Sequence, residues 1–411
     1  MLKQDYWQKI TFNEICKNVS TRVDDPKNSG YDKYVGLEHL DTLEPKITRF
    51  GSTQDIKSSM TLFKNEQILF GRRNWYLRRV ATADFDGVCS ADIYVLEPQG
   101  CKIVHEFLII FMHSNQFFDE TMKYSVGSMS TRVKWSNLSK AKFLIPSIPE
   151  QEKIINLISN IDGSITKTRQ LLEKLKIYKN SKANELLTKG IGHTRFKKVR
   201  LIFGKYEEIP ETWKLQKLGE LTKVTDGSHY SPEKVSTGFP LATVENVKGD
   251  FIDIDSCYRI SKEDYEQLVK DGDKPDIGDV LFTKDGTVGK TLVFNQKIDL
   301  VLLSSIAIIR RSEKLDSDYC NYLLQSKFMV KHLAKFFGGT AIKRIILKHL
   351  DLFEFPLPPI IEQQKIASVL SKIDEQIKYL EIHLSKLKTM RKTIINEKLT
   401  LPKLEEKPLV Q

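Results

Sequence analysis

Arg72, Arg73, Asn74, Tyr76, Arg78 and Arg79 crowd a stretch short enough to form a single turn. Arginine and asparagine carry paired donors and acceptors that match the groove edges of guanine and adenine, while lysines and backbone amides hold phosphates. Ser130, Thr131, Arg132 and Lys134 make a second group of this kind. The later half of the chain offers Lys284, Asp285, Thr287 and Lys290, then Thr340, Lys343 and Arg344. Ser228, His229 and Tyr230 form a third, weaker set there. Each residue alone could be a solvated surface group. Together they are candidates for contact with duplex DNA.

Bond-making chemistry has weaker claims. Neither an NPPF nor a DPPY motif is present, nor the glycine signature that would hold S-adenosylmethionine, nor the acidic and Glu-x-Lys arrangement of a nuclease core. GTVGK at 286–290 lacks the spacing of a phosphate-binding loop and runs on as TLVF, which reads as strand. The histidines are scattered, and Asp162 and Asp374 read as helix-surface acids rather than a catalytic pair. Cys16, Cys89, Cys101, Cys257 and Cys320 are an odd set without a CxxC, as expected for reduced thiols in a cytoplasmic protein without a zinc site. The start, MLKQDYWQKI, has no apolar signal core. FLIIFM and VLLSSIAII fall far short of the roughly 18 residues that span a bilayer. Across 411 residues, 64 Lys and Arg stand against 53 Asp and Glu, and the net charge of +11 favours a polyanionic partner.

These loops must be held by something, and the chain shows what by repeating itself. IPEQEKIINLISNIDGSITKTRQLLEKLK returns as IIEQQKIASVLSKIDEQIKYLEIHLSKLK, at an offset that carries Glu150 onto Glu362 and Leu175 onto Leu387. In the first copy Ile154, Ile158, Ile161, Ile165, Thr168, Leu172 and Leu175 alternate steps of four and three. In the second, Ile366, Leu370, Ile373, Ile377, Leu380, Leu384 and Leu387 do the same, so both read as helices with a coiled-coil seam and each other for partner. Ser147 and Glu150 suggest a capping box at the first helix start, and Pro359 predicts a different start for the second. Two blocks precede the helices and share a plan: YVGLEHL answers PLATVENV, NEQILFGRRNW answers GDVLFTKDGTVGK, and VCSADIYVL answers VLLSSIAIIR. VHEFLIIFMHSNQFFDETM predicts one buried helix in the first block.

The expected organisation is an α+β chain of two pseudo-repeated α/β domains, 1–148 and 206–357. A central helix over 149–190, a linker over 191–205, a distal helix over 358–400 and a tail over 401–411 complete it. From Ile366 to Leu387 a helix rises about 30 Å, close to the turn of about 34 Å in B-DNA. If the helices run antiparallel, two different readers could approach one side of a duplex.

With PSIPEQEKI, PLPPIIEQQKI, LLTKGIGHTRFK, IPETWKLQKLGEL and GDVLFTKDGTVGK in view, nearly the whole chain resembles the specificity subunit of type I restriction–modification systems. The resemblance implies two target-recognition domains separated by two long antiparallel coiled-coil helices. Each domain would read one half of a bipartite, asymmetric DNA site, and the helices would set the gap. It implies no catalysis and no cofactor in this chain. Two modification subunits would dock on the helices and bind S-adenosylmethionine, and restriction subunits that translocate DNA would join them. Ile361 stands where the first repeat has Pro149, so the two helix starts need not dock alike. Two other readings remain: the specificity subunit of a related system with a fused modification and nuclease partner, and a coiled-coil protein whose blocks bind proteins rather than DNA.

Overall fold

The structure, a computed structural model, describes residues 7–126, 131–201, 206–336 and 344–400. The long helices run over Ile148–Lys189 and Ile360–Leu399. Two compact units divide the chain: Met1–Gln170 with Glu381–Gln411, and Leu171–Leu380. Each unit thus takes one block together with part of both helices.

In the first unit, strands β1 (Cys16–Val19), β2 (Ile68–Gly71), β3 (Val80–Thr82) and β4 (Ile93–Pro98) form an antiparallel sheet in the order β1-β4-β2-β3. The second unit repeats it with β5 (Val224–Asp226), β6 (Val280–Thr283), β7 (Thr291–Val293) and β8 (Ile306–Ile309), ordered β5-β8-β6-β7. The central strands are apolar on both faces because both are covered. The blocks diverge in a further sheet. Five strands build it in the first unit and three in the second, each with one parallel pair, Lys33–Val35 beside Gly87–Cys89 and Phe239–Ala242 beside Val301–Leu302. A two-stranded clasp closes each block, pairing Trp7–Thr11 with Lys142–Pro146 and Lys214–Lys217 with Glu354–Leu357. Part of the expected linker is itself a strand, Phe196–Arg200, paired with Tyr206–Pro210.

The apolar segment of the first block is two helices, not one. His113 ends His105–Met112, and Ser114 caps Asn115–Met122, its hydroxyl accepting from the Phe117 amide. A buried serine with its own backbone partners offers the chain a turn that helix propensity alone does not reveal.

The first helix seam is buried from Ile154 to Leu172, with Leu175 half-buried. In the second, Ile366, Leu370, Ile373, Ile377 and Leu387 are buried and Leu380 and Leu384 half-buried. Within the first unit Asp162 meets Arg391, while Arg169 and Lys388 share Glu44. Within the second, Lys179 meets Asp374 at 2.5 Å and Glu362 accepts from the Ile191 amide at 3.0 Å. In both, the helices run antiparallel.

The two helix starts have the same backbone. The amides of Glu150 and Gln151 bond the Ser147 carbonyl, and those of Glu362 and Gln363 bond the Pro359 carbonyl. Proline lacks only the N–H, and this turn uses its carbonyl, so the expected difference at Pro359 does not arise there. The side chains differ instead. Glu362 accepts from the Ile191 amide, His193 Nε2 at 2.8 Å and Trp213 Nε1 at 3.0 Å, whereas Glu150 faces Lys153 at 3.1 Å. Gly190 ends the central helix with φ +66°, and a Cβ there would lie 2.4 Å from Glu362 Oε1.

Candidate nucleic-acid interface

In the first unit the loop after β2 meets the segment around Thr131. The Asn74 amide donates to the Thr131 carbonyl at 2.9 Å and the Val133 amide to the Arg72 carbonyl at 3.1 Å, so Arg73 and Arg132 stand opposite one another. Asn74 and Arg78 both take left-handed backbone, at φ 49° and 52°, and bracket a tight turn over Trp75–Leu77. Buried Trp75 stacks on Phe118 and pins that turn, leaving Tyr76 56% exposed. Three of the candidate arginines converge on one carboxylate. Asp92 Oδ1 lies 3.0 Å from Arg132 Nη2 and 3.9 Å from Arg72 Nε, and Oδ2 lies 3.5 Å from Arg73 Nη1. Arg72 also lies over the Tyr94 ring.

Arg78 donates to Asn115 Oδ1 at 2.7 Å and covers the Phe118 ring, so its guanidinium holds the turn to the helix behind it. Arg79 and Thr131 are half-buried, and Lys134 is exposed. Ser130 lies outside the described residues.

The second unit builds the same joint from other residues. The Ile345 amide donates to the Lys284 carbonyl at 3.0 Å, and Asp285 stands opposite Arg344 with 3.5 Å between carboxylate and guanidinium. These are the positions that the repeat offset carries over from Arg72, Arg73, Arg132 and Val133. GTVGK is the turn between β6 and β7. Thr283 Oγ1 accepts from the Lys290 amide at 2.9 Å and donates to the Thr287 carbonyl at 2.6 Å, leaving Thr287 and Lys290 exposed. Thr340 and Lys343 lie outside the described residues.

Two candidates need correction. Lys284 is 2% exposed, with its ammonium on Asp226, so it fastens the loop and presents no charge to solvent. Ser228 is also buried, its hydroxyl donating to the Tyr230 carbonyl at 2.9 Å and accepting from the Tyr230 amide at 3.0 Å. That leaves Tyr230 and His229 outward, His229 resting 3.2 Å from Asp226 Oδ2. Nearby, burial pushes the Asp273 carboxyl up to about 6, with Asp271 adding to the effect and a Ser228 hydrogen bond opposing it.

The sequence reading missed Asp92 and Asp226, which lie far along the chain from the bases they hold. It also missed Arg391, although Lys179 and Arg391 occupy equivalent places one step beyond the last leucine of each seam. Asp162 and Asp374 each have their own cation, Arg391 and Lys179, within their own unit. Among the described residues, no group of three or more His, Cys, Asp or Glu could hold a metal ion, and no helix is long and apolar enough to cross a membrane.

Comparison with known proteins fits this geometry. The family model for the type I restriction modification DNA specificity domain matches residues 4–176 and 210–389. The MjaVIII specificity subunit of Methanocaldococcus jannaschii is 24% identical, over 96% of this chain and 92% of its own length. A putative MjaX specificity subunit of the same organism is 26% identical, over 94% and 90%. Two solved structures share the fold. One, from a study of complex assembly and conformational transition of the type I R-M system, has a TM-score of 0.59 at 18% identity, covering 96% of this chain and 97% of the other. The S subunit of a type I restriction–modification system from M. genitalium has a TM-score of 0.54 at 15% identity, over 98% of both chains. With a domain match in each half and a doubled loop joint at equivalent positions, the chain belongs to the type I restriction–modification DNA specificity family.

Proposed function

We propose that this chain is the DNA-specificity subunit of a type I restriction–modification complex in which each target-recognition domain reads one half of a bipartite, asymmetric site. The observation that carries the reading is the loop joint built twice. The backbone bridge is the same in both units, yet it presents Arg73 and Arg132 in one and Asp285 and Arg344 in the other. A shared frame with different chemistry suits two different half-sites. The outward residues Arg73, Tyr76, Arg132 and Lys134 would meet one half, and His229, Tyr230, Thr287, Lys290 and Arg344 the other. The paired helices would set the unspecified gap and dock two modification subunits. Those partners would bind S-adenosylmethionine and methylate adenine, and restriction subunits would complete the assembly in the cytoplasm. This chain would contribute recognition and no catalytic group.

The test is methylation mapping of host DNA by single-molecule sequencing, with the gene intact and deleted. The expected result is loss of one methylated adenine motif in two parts with a fixed gap. An unchanged pattern, together with duplex binding by the purified chain that does not weaken as salt rises, would favour a protein-binding role instead.

A further inference from the structure

Asp92 puts a negative charge into the surface proposed above to face DNA. Its side chain is 17% exposed and lies among the side chains of Arg72, Arg73 and Arg132, which are 34%, 46% and 53% exposed. A carboxylate there repels the DNA backbone and lowers the attraction that three arginines would otherwise exert. Its own backbone is built into the same joint. The Asp92 carbonyl accepts from the Arg72 amide at 2.9 Å, and the Asp92 amide donates to Ser90 Oγ at 3.3 Å. The acid is therefore tied by its backbone into the turn that enters β4, while the arginines it gathers come from two separate segments. Base readout needs a guanidinium held in a defined plane, whereas phosphate contact does not. Specificity is a difference of two affinities, and a group that weakens binding to every sequence raises it when it also orients the groups that read one.

We propose that Asp92 is a specificity-determining positioning residue, holding Arg73 and Arg132 in a base-reading arrangement and, with Arg72 also in reach of its charge, suppressing their indiscriminate binding to phosphates. This rests on the DNA-reading role proposed above. The two can fail separately, because the wild-type chain tests the role and the variants test Asp92.

The experiment measures binding of the full chain to two duplexes, the mapped site and one scrambled in the half read by the first domain, at about 50 and 200 mM salt. Asp92→Asn is expected to bind the scrambled duplex about tenfold more tightly at the lower salt, with a log–log salt slope steeper by about one. Its preference for the mapped site should fall by a similar factor. Asp92→Glu keeps the charge and should stay near wild type. A gain in affinity for the wrong sequence is something damage to the fold does not produce. Equal weakening on both duplexes, or no change on either, overturns the proposal. Should Asp92→Asn fail to fold, Arg132→Gln at an exposed arginine replaces it: the mapped duplex should lose more affinity than the scrambled one, and equal losses overturn the proposal. A wild-type chain that binds both duplexes alike sinks the DNA-reading role itself.

Discussion

Arg391 sits where the seam of the distal helix would place a leucine, and it is 5% exposed. A buried guanidinium is costly unless paired and hydrogen-bonded. Here Nε donates to Asp162 Oδ1 at 2.6 Å and Nη1 lies 3.1 Å from His113 Nδ1. His113 Nε2 lies 2.8 Å from the Val80 carbonyl, which needs the proton on Nε2 and leaves Nδ1 to accept from Arg391. A second proton on this ring has no place to go. Burial first, and then the Arg391 charge, push His113 down to about 3. The unfolded chain binds that proton near pH 6.5 and the native chain refuses it until about pH 3. The contribution to stability is therefore whole above pH 6.5 and is lost as pH falls toward 3. Denaturant unfolding at pH 7 and pH 5 should show a loss of about 2 kcal/mol from this group. His113→Gln, which installs the residue found at the equivalent Gln325, should abolish that part of the loss; an unchanged pH dependence would show the ring is not the source.

At the scale of elements, a glutamine fixes each helix to its block. Gln151 Nε2 donates to the carbonyls of Lys102 at 2.8 Å and Pro146 at 2.9 Å, and its Oε1 accepts from the Val104 amide at 2.9 Å. Gln363 makes the equivalent bonds to Lys314 at 3.2 Å, Pro358 at 2.9 Å and the Asp316 amide at 2.9 Å. Gln363→Leu would remove the partner of the buried Pro358 carbonyl and of the partly buried Asp316 amide and Lys314 carbonyl, so a loss of about 2 kcal/mol is expected in urea unfolding. A loss below about 0.5 kcal/mol would mean that water serves as well. These glutamines were visible in the sequence as identical residues of the repeat, but their partners were not, because backbone groups leave no mark in composition. The seams and the strand plan were legible for the opposite reason: burial imposes a period of 3.5 or of 2 on side-chain type. Lys284 shows where such reading stops. A lysine in a polar turn looks available for phosphate, and only its closeness to Asp226, a long way back in the chain, reveals that it is spoken for.

Across the whole molecule the frame is kept while the chemistry on it changes. Exchanging residues 1–148 for the corresponding block of another family member is expected to change one half of the methylated motif and leave the other half intact, as methylome sequencing would report. Changes in both halves would show that the blocks do not read independently. The glutamine clamps bear on how such chains diversify. Their partners within each block are main-chain groups, so the joint makes no demand on the side chains of the block it secures. A crossover falling at either glutamine codon would graft a foreign reader onto a working hinge. New addresses can then arise by genetic exchange between alleles in a single event, without the joint having to evolve again.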